Sequence, residues 1–91
     1  MVVARLAVER AAVRQNPDSA IRAIGRRIAD LRRERAFTQE QFAEKVGVSE
    51  KYLQRVESGA NLSIRSLVRF ANALGVPLHQ LVERPKAAEK T

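Results

Sequence analysis

The sequence contains no cysteine and a single histidine, His79. The lack of cysteine excludes disulfide bonds and thiolate metal sites, and one histidine cannot form a zinc site alone. An enzyme would need a nucleophile with a base, or clustered metal ligands, and the carboxylates here are scattered along the chain. We therefore expect no enzymatic activity, no cofactor and no small-molecule effector.

Long apolar runs are also missing. No segment approaches the roughly 18–20 residues that a membrane-spanning helix needs. Near the N-terminus, Arg5, Glu9 and Arg10 interrupt the apolar residues, which is not typical of a secretory signal. We expect a soluble cytoplasmic protein with no membrane partner.

Positive charge is in excess, with a net charge of +7 over 91 residues. Residues 1–35 carry nine arginines against four acidic residues, whereas residues 36–62 carry three basic against four acidic residues. Residues 63–91 are again basic, with five basic and two acidic residues. Such an excess favours a polyanionic partner, most often nucleic acid, although an arginine-rich composition from a GC-rich genome would look the same. Basic flanks suit phosphate contacts, and a near-neutral centre suits base reading.

Helix-breaking residues divide the chain into helix-length segments. The break at Asn16-Pro17 separates an N-terminal extension, residues 1–17, from a domain over residues 18–84. We expect residues 2–14 to form an extra helix and residues 85–91 to be a flexible tail. Helix 1 of the domain is expected over residues 18–35, with Asp18 or Ser19 as its cap. Its apolar stripe has helical spacing and consists of Ile21, Ile24, Ile28 and Leu31, with Arg22, Arg26, Arg27 and Arg33 on the opposite face.

Four further helices have recognisable ends. Thr38 and Gln41 form a capping box before helix 2, which Gly47 stops, and Ser49 caps helix 3. Helix 4 begins after Ser63 and ends at Gly75, and its expected apolar face is Ile64, Leu67, Val68, Ala71 and Leu74. A short helix 5 begins at Pro77, with Leu78, Leu81 and Val82 expected to face inward. The sequence thus predicts an all-α fold of five helices with an extra N-terminal helix.

Residues 38–59, TQEQFAEKVGVSEKYLQRVESG, have the spacing of two helices that meet across a tight turn. Ala43 is small enough for a close approach, and Gly47 makes the turn four residues later. Val48, Leu53 and Val56 anchor helix 3 from behind. The side chains left on its outer side are Glu50, Lys51, Tyr52, Gln54 and Arg55. A helix held in this way can enter a DNA major groove, which is about 12 Å wide.

At these positions the chain resembles the lambda-repressor/Cro group of helix-turn-helix proteins, also called Xre-type regulators. The resemblance covers residues 24–82 and is strongest at residues 38–43, 47–49, 56–59 and 67–75. It implies a five-helix DNA-binding domain and sequence-specific regulation of transcription. It also implies double-stranded DNA as a partner and a homodimer on an operator of two half-sites. Small restriction–modification controller proteins and phage-type repressors are both similar, and the sequence does not choose between them.

The resemblance also implies roles for individual residues. Base contacts fall on Glu50, Lys51, Tyr52 and Arg55. Phosphate contacts fall on Arg32, Gln39, Ser49, Gln54 and Asn61. An ion pair between Arg32 and Glu57 would tie helix 1 to the end of helix 3, and Arg32 would also lie near a phosphate.

Side-chain chemistry leaves alternatives open at several of these positions. Arg55 can donate two bonds to guanine, and Lys51 can contact either a base or a phosphate. Glu50 can accept from cytosine N4 or only stabilise its helix N-terminus. Tyr52 can touch a thymine methyl or a sugar, or pack against helix 2.

Three other functions compete with DNA reading. The chain could be a protein-binding module such as an antitoxin, or residues 2–14 could bind a membrane as an amphipathic helix. RNA binding is disfavoured by the scarcity of exposed aromatics, since Tyr52 is the one tyrosine. For the dimer interface, Leu78, Leu81 and Val82 are candidates, although they can equally close the monomer core. The N-terminal helix is the other candidate.

Overall fold

The computed structural model describes residues 16–82, which fold into five α-helices. These are α1 (Pro17–Glu34), α2 (Gln39–Val46), α3 (Glu50–Glu57), α4 (Ile64–Leu74) and α5 (His79–Val82). The all-α prediction is confirmed, and the described residues contain no strand. The predicted extra helix over residues 2–14 and the predicted tail over residues 85–91 lie outside the described residues.

The first helix starts earlier than predicted. Asn16, rather than Asp18 or Ser19, is the N-cap, and its Oδ1 accepts bonds from the backbone N–H groups of Asp18 at 2.8 Å and Ser19 at 3.2 Å. Pro17 then takes the first helical position, where its missing N–H would have had no helical partner. The proline therefore begins the helix, whereas the sequence analysis placed it before the helix.

The predicted caps of the next three helices are confirmed. The Thr38–Gln41 capping box forms in both directions, with the side chain of each residue accepting from the backbone N–H of the other. Ser49 and Ser63 cap α3 and α4 through their hydroxyl oxygens. Gly47 ends α2 in the left-handed conformation, with φ of 90°.

All five helices contribute buried residues to one core. On two helices, the residues that are buried differ from the predicted apolar face. On α4 the buried residues are Leu67, Phe70, Ala71 and Leu74, whereas Ile64 and Val68 are exposed. Phe70 is completely buried, with its ring centroid 6.0 Å from that of Phe42. Rotating α4 to bury this ring covers more apolar area than burying Val68 would.

At α5, Leu81 is buried at the core, but Leu78 and Val82 are exposed. The prediction that all three face inward is therefore wrong for two of them. The side chain of Arg27 connects α1 to α5, because its Nε donates to the backbone carbonyl of Gln80 at 3.0 Å. Val82 follows Leu81 by about 100° around the helix axis and so points away from the core, whereas Leu78 precedes the helix.

Gly25 lets α1 approach the C-terminal end of α3 closely. A Cβ built on Gly25 would lie 2.2 Å from the carbonyl oxygen of Val56 and 3.3 Å from that of Glu57. Both oxygens belong to backbone, which cannot turn away as a flexible side chain can. The distance between α1 and α3 therefore depends on a glycine at this position.

Within residues 16–82, no helix has the length and apolar content needed to cross a bilayer.

Gly25→Ala should destabilise the domain even though alanine is the better helix former by about 0.8–1.0 kcal/mol. The added methyl forces α1 and α3 apart, and overpacking of this kind costs about 1–3 kcal/mol. Denaturant unfolding followed by circular dichroism measures the change. Arg26→Ala, at the exposed neighbouring position, is the control and should stay within about 0.5 kcal/mol of the wild type. An unchanged or increased stability of the Gly25 variant would contradict the close approach.

Candidate nucleic-acid interface

The turn between α2 and α3 is built as the sequence predicts. The backbone N–H groups of Gly47 and Val48 both donate to the carbonyl oxygen of Ala43, at 2.9 and 3.0 Å. Ala43 is buried at 3% exposure, which leaves no room for a larger side chain between the helices. The second helix therefore leaves the first at an angle set by backbone bonds.

An arginine from α4 supports this turn, and the sequence analysis missed it. Arg69 Nη2 donates to the carbonyl oxygens of Val46 at 3.0 Å and Gly47 at 3.3 Å. These carbonyls lie at the C-terminal end of α2, where a positive charge is favourable. The contact joins residues more than twenty positions apart, so helical periodicity gives no signal for it.

The third helix, α3, has a buried side and an exposed side. Leu53 and Val56 are completely buried, and they fix the helix from behind. The residues exposed on the other side are Glu50, Lys51, Gln54 and Arg55. The helix thus presents two cationic side chains, one carboxylate and one amide on a surface that the core does not cover.

Tyr52 is half-buried and packs against the core, and its hydroxyl donates to Ser66 Oγ on α4 at 3.4 Å. Tyr52 thus packs within the protein, although its polar partner is on α4 and not on α2, and its DNA contact stays a prediction. Ser49 Oγ is occupied as the cap of α3, accepting from the Tyr52 backbone N–H at 3.0 Å. Asn61 is exposed in the segment between α3 and α4.

Arg32 and Glu57 form a buried ion pair. Arg32 Nε and Nη2 donate to the two carboxylate oxygens of Glu57 at 2.7 and 3.1 Å, and Nη1 donates to the Phe37 carbonyl at 2.8 Å. The two side chains are 8% and 6% exposed. All three guanidinium nitrogens are used inside the protein, so the structural role of Arg32 is favoured over a phosphate contact.

Gln39 extends this pair to the exposed surface of α3. Its Nε2 donates to Glu57 Oε1 at 3.0 Å, and its Oε1 accepts from Gln54 Nε2 at 3.4 Å. Glu57 therefore accepts hydrogen bonds from Arg32 on α1 and from Gln39 on α2. Gln39 in turn accepts a hydrogen bond from Gln54 on α3. A chain of polar contacts runs from the buried arginine to the edge of the exposed surface.

A shallow cleft lies beside this chain of contacts, between α1 and the ends of α2 and α3. Its lining is polar or charged apart from one alanine, and consists of Arg26, Ala29, Asp30, Arg33, Gln39, Gln54, Glu57 and Ser58. Residues 16–82 contain no cluster of three or more histidine or acidic side chains that could hold a metal ion. Arginine and amide donors suit an anionic ligand better than a cation.

The helix-turn-helix family model matches residues 28–81 of the chain. The regulator SinR of Bacillus subtilis is 34% identical over 68 residues, which is 72% of this chain and 61% of SinR. The immunity repressor of Bacillus phage phi105 is 40% identical over 60 residues, which is 65% of this chain and 42% of the repressor. The chain therefore spans less than two thirds of the length of either relative.

Solved structures of similar proteins have the same fold. A structure of SinR in complex with DNA is 35% identical with a TM-score of 0.62, over 66% of this chain and 98% of that one. The restriction–modification controller protein C.AhdI of Aeromonas hydrophila is 28% identical with a TM-score of 0.66, over 69% of this chain and 97% of the controller. The five-helix architecture predicted from the sequence is thus found in both.

Glu57→Gln should lower the free energy of unfolding by about 3–5 kcal/mol, because it leaves the buried Arg32 charge without its counter-ion. Denaturant titration gives the change. The double variant Arg32→Met/Glu57→Met should lose less stability than Glu57→Gln alone, since it leaves no unpaired charge.

Glu44→Gln, which removes an exposed carboxylate on α2, is the matched control and should change stability by less than about 0.5 kcal/mol. Equal losses in Glu57→Gln and Glu44→Gln would show that the pair does not stabilise the fold.

Proposed function

The chain belongs to the helix-turn-helix family of Xre-type regulators, and on that premise we propose that it binds double-stranded DNA sequence-specifically to regulate transcription. In this proposal, residues 49–57 enter the major groove. The observation that carries it is that α3 is buried on one side only, with Leu53 and Val56 fully buried and Lys51 and Arg55 exposed. A helix fixed on one side and free on the other is what groove reading needs.

Base reading is assigned to three side chains of α3. Arg55 can donate in parallel to guanine O6 and N7, a contact worth about 1–3 kcal/mol of discrimination. Lys51, one turn earlier, can donate to a base or a phosphate. Glu50 at the start of the helix can only accept, so cytosine N4 is its natural partner.

Phosphate contacts are assigned to the polar side chains around α3, namely Gln39, Ser49, Gln54 and Asn61. Gln39 lies at the first position of α2, where backbone N–H groups and the helix dipole favour an anion. Its amide is already oriented by Glu57 and Gln54. Arg32 acts in this proposal through Glu57, as a support and not as a direct contact.

The relatives support DNA binding and also repression rather than activation. SinR has been solved in complex with DNA, and the phage relative is named an immunity repressor. The C.AhdI neighbour is a restriction–modification controller protein. We infer a regulator that represses by occupying its operator.

A homodimer follows from the small size of the reading surface. One α3 of eight residues contacts only a few base pairs, and a second copy on a second half-site roughly squares the discrimination. We assign the interface to Leu78 and Val82, which are 36% and 54% exposed and lie one helical turn apart. Leu81 is excluded because it is buried in the monomer core.

Selection of bound sites from random DNA at a stated salt concentration should yield an operator with two half-sites about one helical turn apart. On that operator, Arg55→Ala should cost about 1–3 kcal/mol and relax the preference at one base pair. Gln39→Ala is the control, and it should weaken binding to all sequences alike. Equal loss for Arg55→Ala on operator and random DNA would contradict base reading. Weak, sequence-blind binding by the wild type would instead favour the protein-binding alternative.

Leu78→Asp/Val82→Asp should convert the protein to a monomer, because two buried carboxylates would face their own copies. Sedimentation measures the assembly, and operator affinity should fall by at least about 100-fold as the linked second site is lost. Val68→Asp, at a comparably exposed position on α4 (40%), should remain dimeric. A monomeric Val68→Asp with a dimeric double variant would place the interface on α4 instead.

A further inference from the structure

Three exposed arginines form a stripe on α1 that the roles above do not use. We name Arg22, Arg26 and Arg33 the arginine stripe; all three are exposed. They lie four and seven residues apart, so they project within about 40° of one another and extend over roughly 16 Å of helix. Such an array is a linear positive surface rather than an isolated charge.

The stripe lies on the side of α1 that borders α3. A Cβ built on Gly59, just after α3, would lie 2.5 Å from Arg22 Cγ, so the Arg22 stem covers this glycine. Arg26 and Arg33 line the same cleft as Gln39 and Gln54. Two of the three stripe arginines therefore border the proposed phosphate-contact residues Gln39 and Gln54.

Three other arginines use their guanidinium groups within the fold. Arg27, Arg35 and Arg69 donate to backbone carbonyls of other segments, and their charges serve the fold. In the stripe, Arg33 Nη1 contacts Asp30 Oδ1 at 3.4 Å and Arg22 Nη2 donates to Ser19 Oγ at 3.3 Å, both within α1. The Arg26 side chain is exposed and lines the cleft. The contacts of Arg22 and Arg33 are exposed and long, so an external anion can compete for these guanidinium donors.

We propose that the arginine stripe binds the phosphates of the DNA that flanks the base pairs read by α3. The inference rests on the proposed function, because it takes the orientation of the DNA from α3. Each DNA strand carries one phosphate per 3.4 Å of helix axis, so a surface of roughly 16 Å faces several phosphates. Guanidinium groups match phosphate oxygens with two parallel donors. Asp30 lies in the same cleft and weakens the attraction, since it pairs with Arg33 and repels phosphate.

The double variant Arg26→Gln/Arg33→Gln tests the stripe through the salt dependence of binding. Each lost phosphate contact removes about 0.9 from the slope of log affinity against log salt, so the slope should fall by about 2 per bound chain. Between 50 and 200 mM salt, the wild type should then lose about tenfold more affinity than the variant for each bound chain. Selected operator and random duplex should show the same difference, because phosphates carry no sequence information.

Lys45→Gln is the matched control. Lys45 is an exposed cation on α2 whose Nζ lies 5.8 Å from the Phe37 ring centroid, and it does not line the cleft. Its removal should leave the salt slope unchanged. Equal slopes for the wild type and the stripe variant, or an equal decrease in Lys45→Gln, would overturn the proposal.

Asp30→Asn tests the same surface with the opposite sign. Removing this carboxylate should raise affinity for both DNAs by roughly two- to fivefold, the range expected for one surface charge interaction. Loss of folding cannot produce such a gain, so this variant remains decisive if the double variant proves unstable. Unchanged or lower affinity would overturn the proposal.

The two proposals fail in different ways. If the wild type selects no sequence, the proposed function fails whatever the slopes are. If the wild type selects an operator and the slopes are equal, only the phosphate-binding role of the stripe fails.

Discussion

The orientation of α3 depends on the carboxylate of Glu57, the last residue of that helix. This one group accepts two bonds from Arg32 on α1 and one from Gln39 on α2. Burial of an ion pair is costly, and apolar residues of similar volume are often as stable. An apolar pair, however, would leave the Gln39 amide without its acceptor. The charged pair therefore does one thing that an apolar pair cannot: its carboxylate orients the polar Gln39 side chain at the edge of the exposed surface.

The 17 basic residues behind the net charge of +7 are not equally available to a ligand. Arg32 is neutralised by Glu57, and Arg35 and Arg69 donate to carbonyls at the C-terminal ends of α4 and α2, through Leu74 and through Val46 and Gly47. These arginines complete hydrogen bonds that helix ends leave open. On α3 itself, Lys51 and Arg55 remain exposed. Composition alone indicated a polyanionic partner, but only the contacts separate the arginines that hold the fold from those that face outward.

Sequence reasoning succeeded where a signal is local. The Thr38–Gln41 capping box, the stop at Gly47 and the caps at Ser49 and Ser63 each depend on residues within one turn. It failed on α4 because two helical stripes share that segment, and tertiary packing decided in favour of the one containing Phe70. The left-handed conformation of Ala36 after α1, with φ of 62°, was also not predicted, because this conformation is usual for glycine and not for alanine. The contacts of Arg69 with the turn were unpredictable because they connect segments far apart in sequence.

In the candidate site too, the features that depend on neighbouring residues were predictable, and those that depend on how helices meet were not. The exposed side of α3 follows from the positions of Leu53 and Val56, whereas the alignment of Gln39 with Gln54 depends on how α2 and α3 meet. In the proposed complex these two kinds of residue have different tasks. Side chains on α3 discriminate bases by hydrogen-bond pattern, and they gain from being held at one angle. Flanking arginines supply attraction that falls with salt and does not depend on sequence. On this proposal, specificity rests on the core contacts behind α3, and affinity rests on the charges beside it.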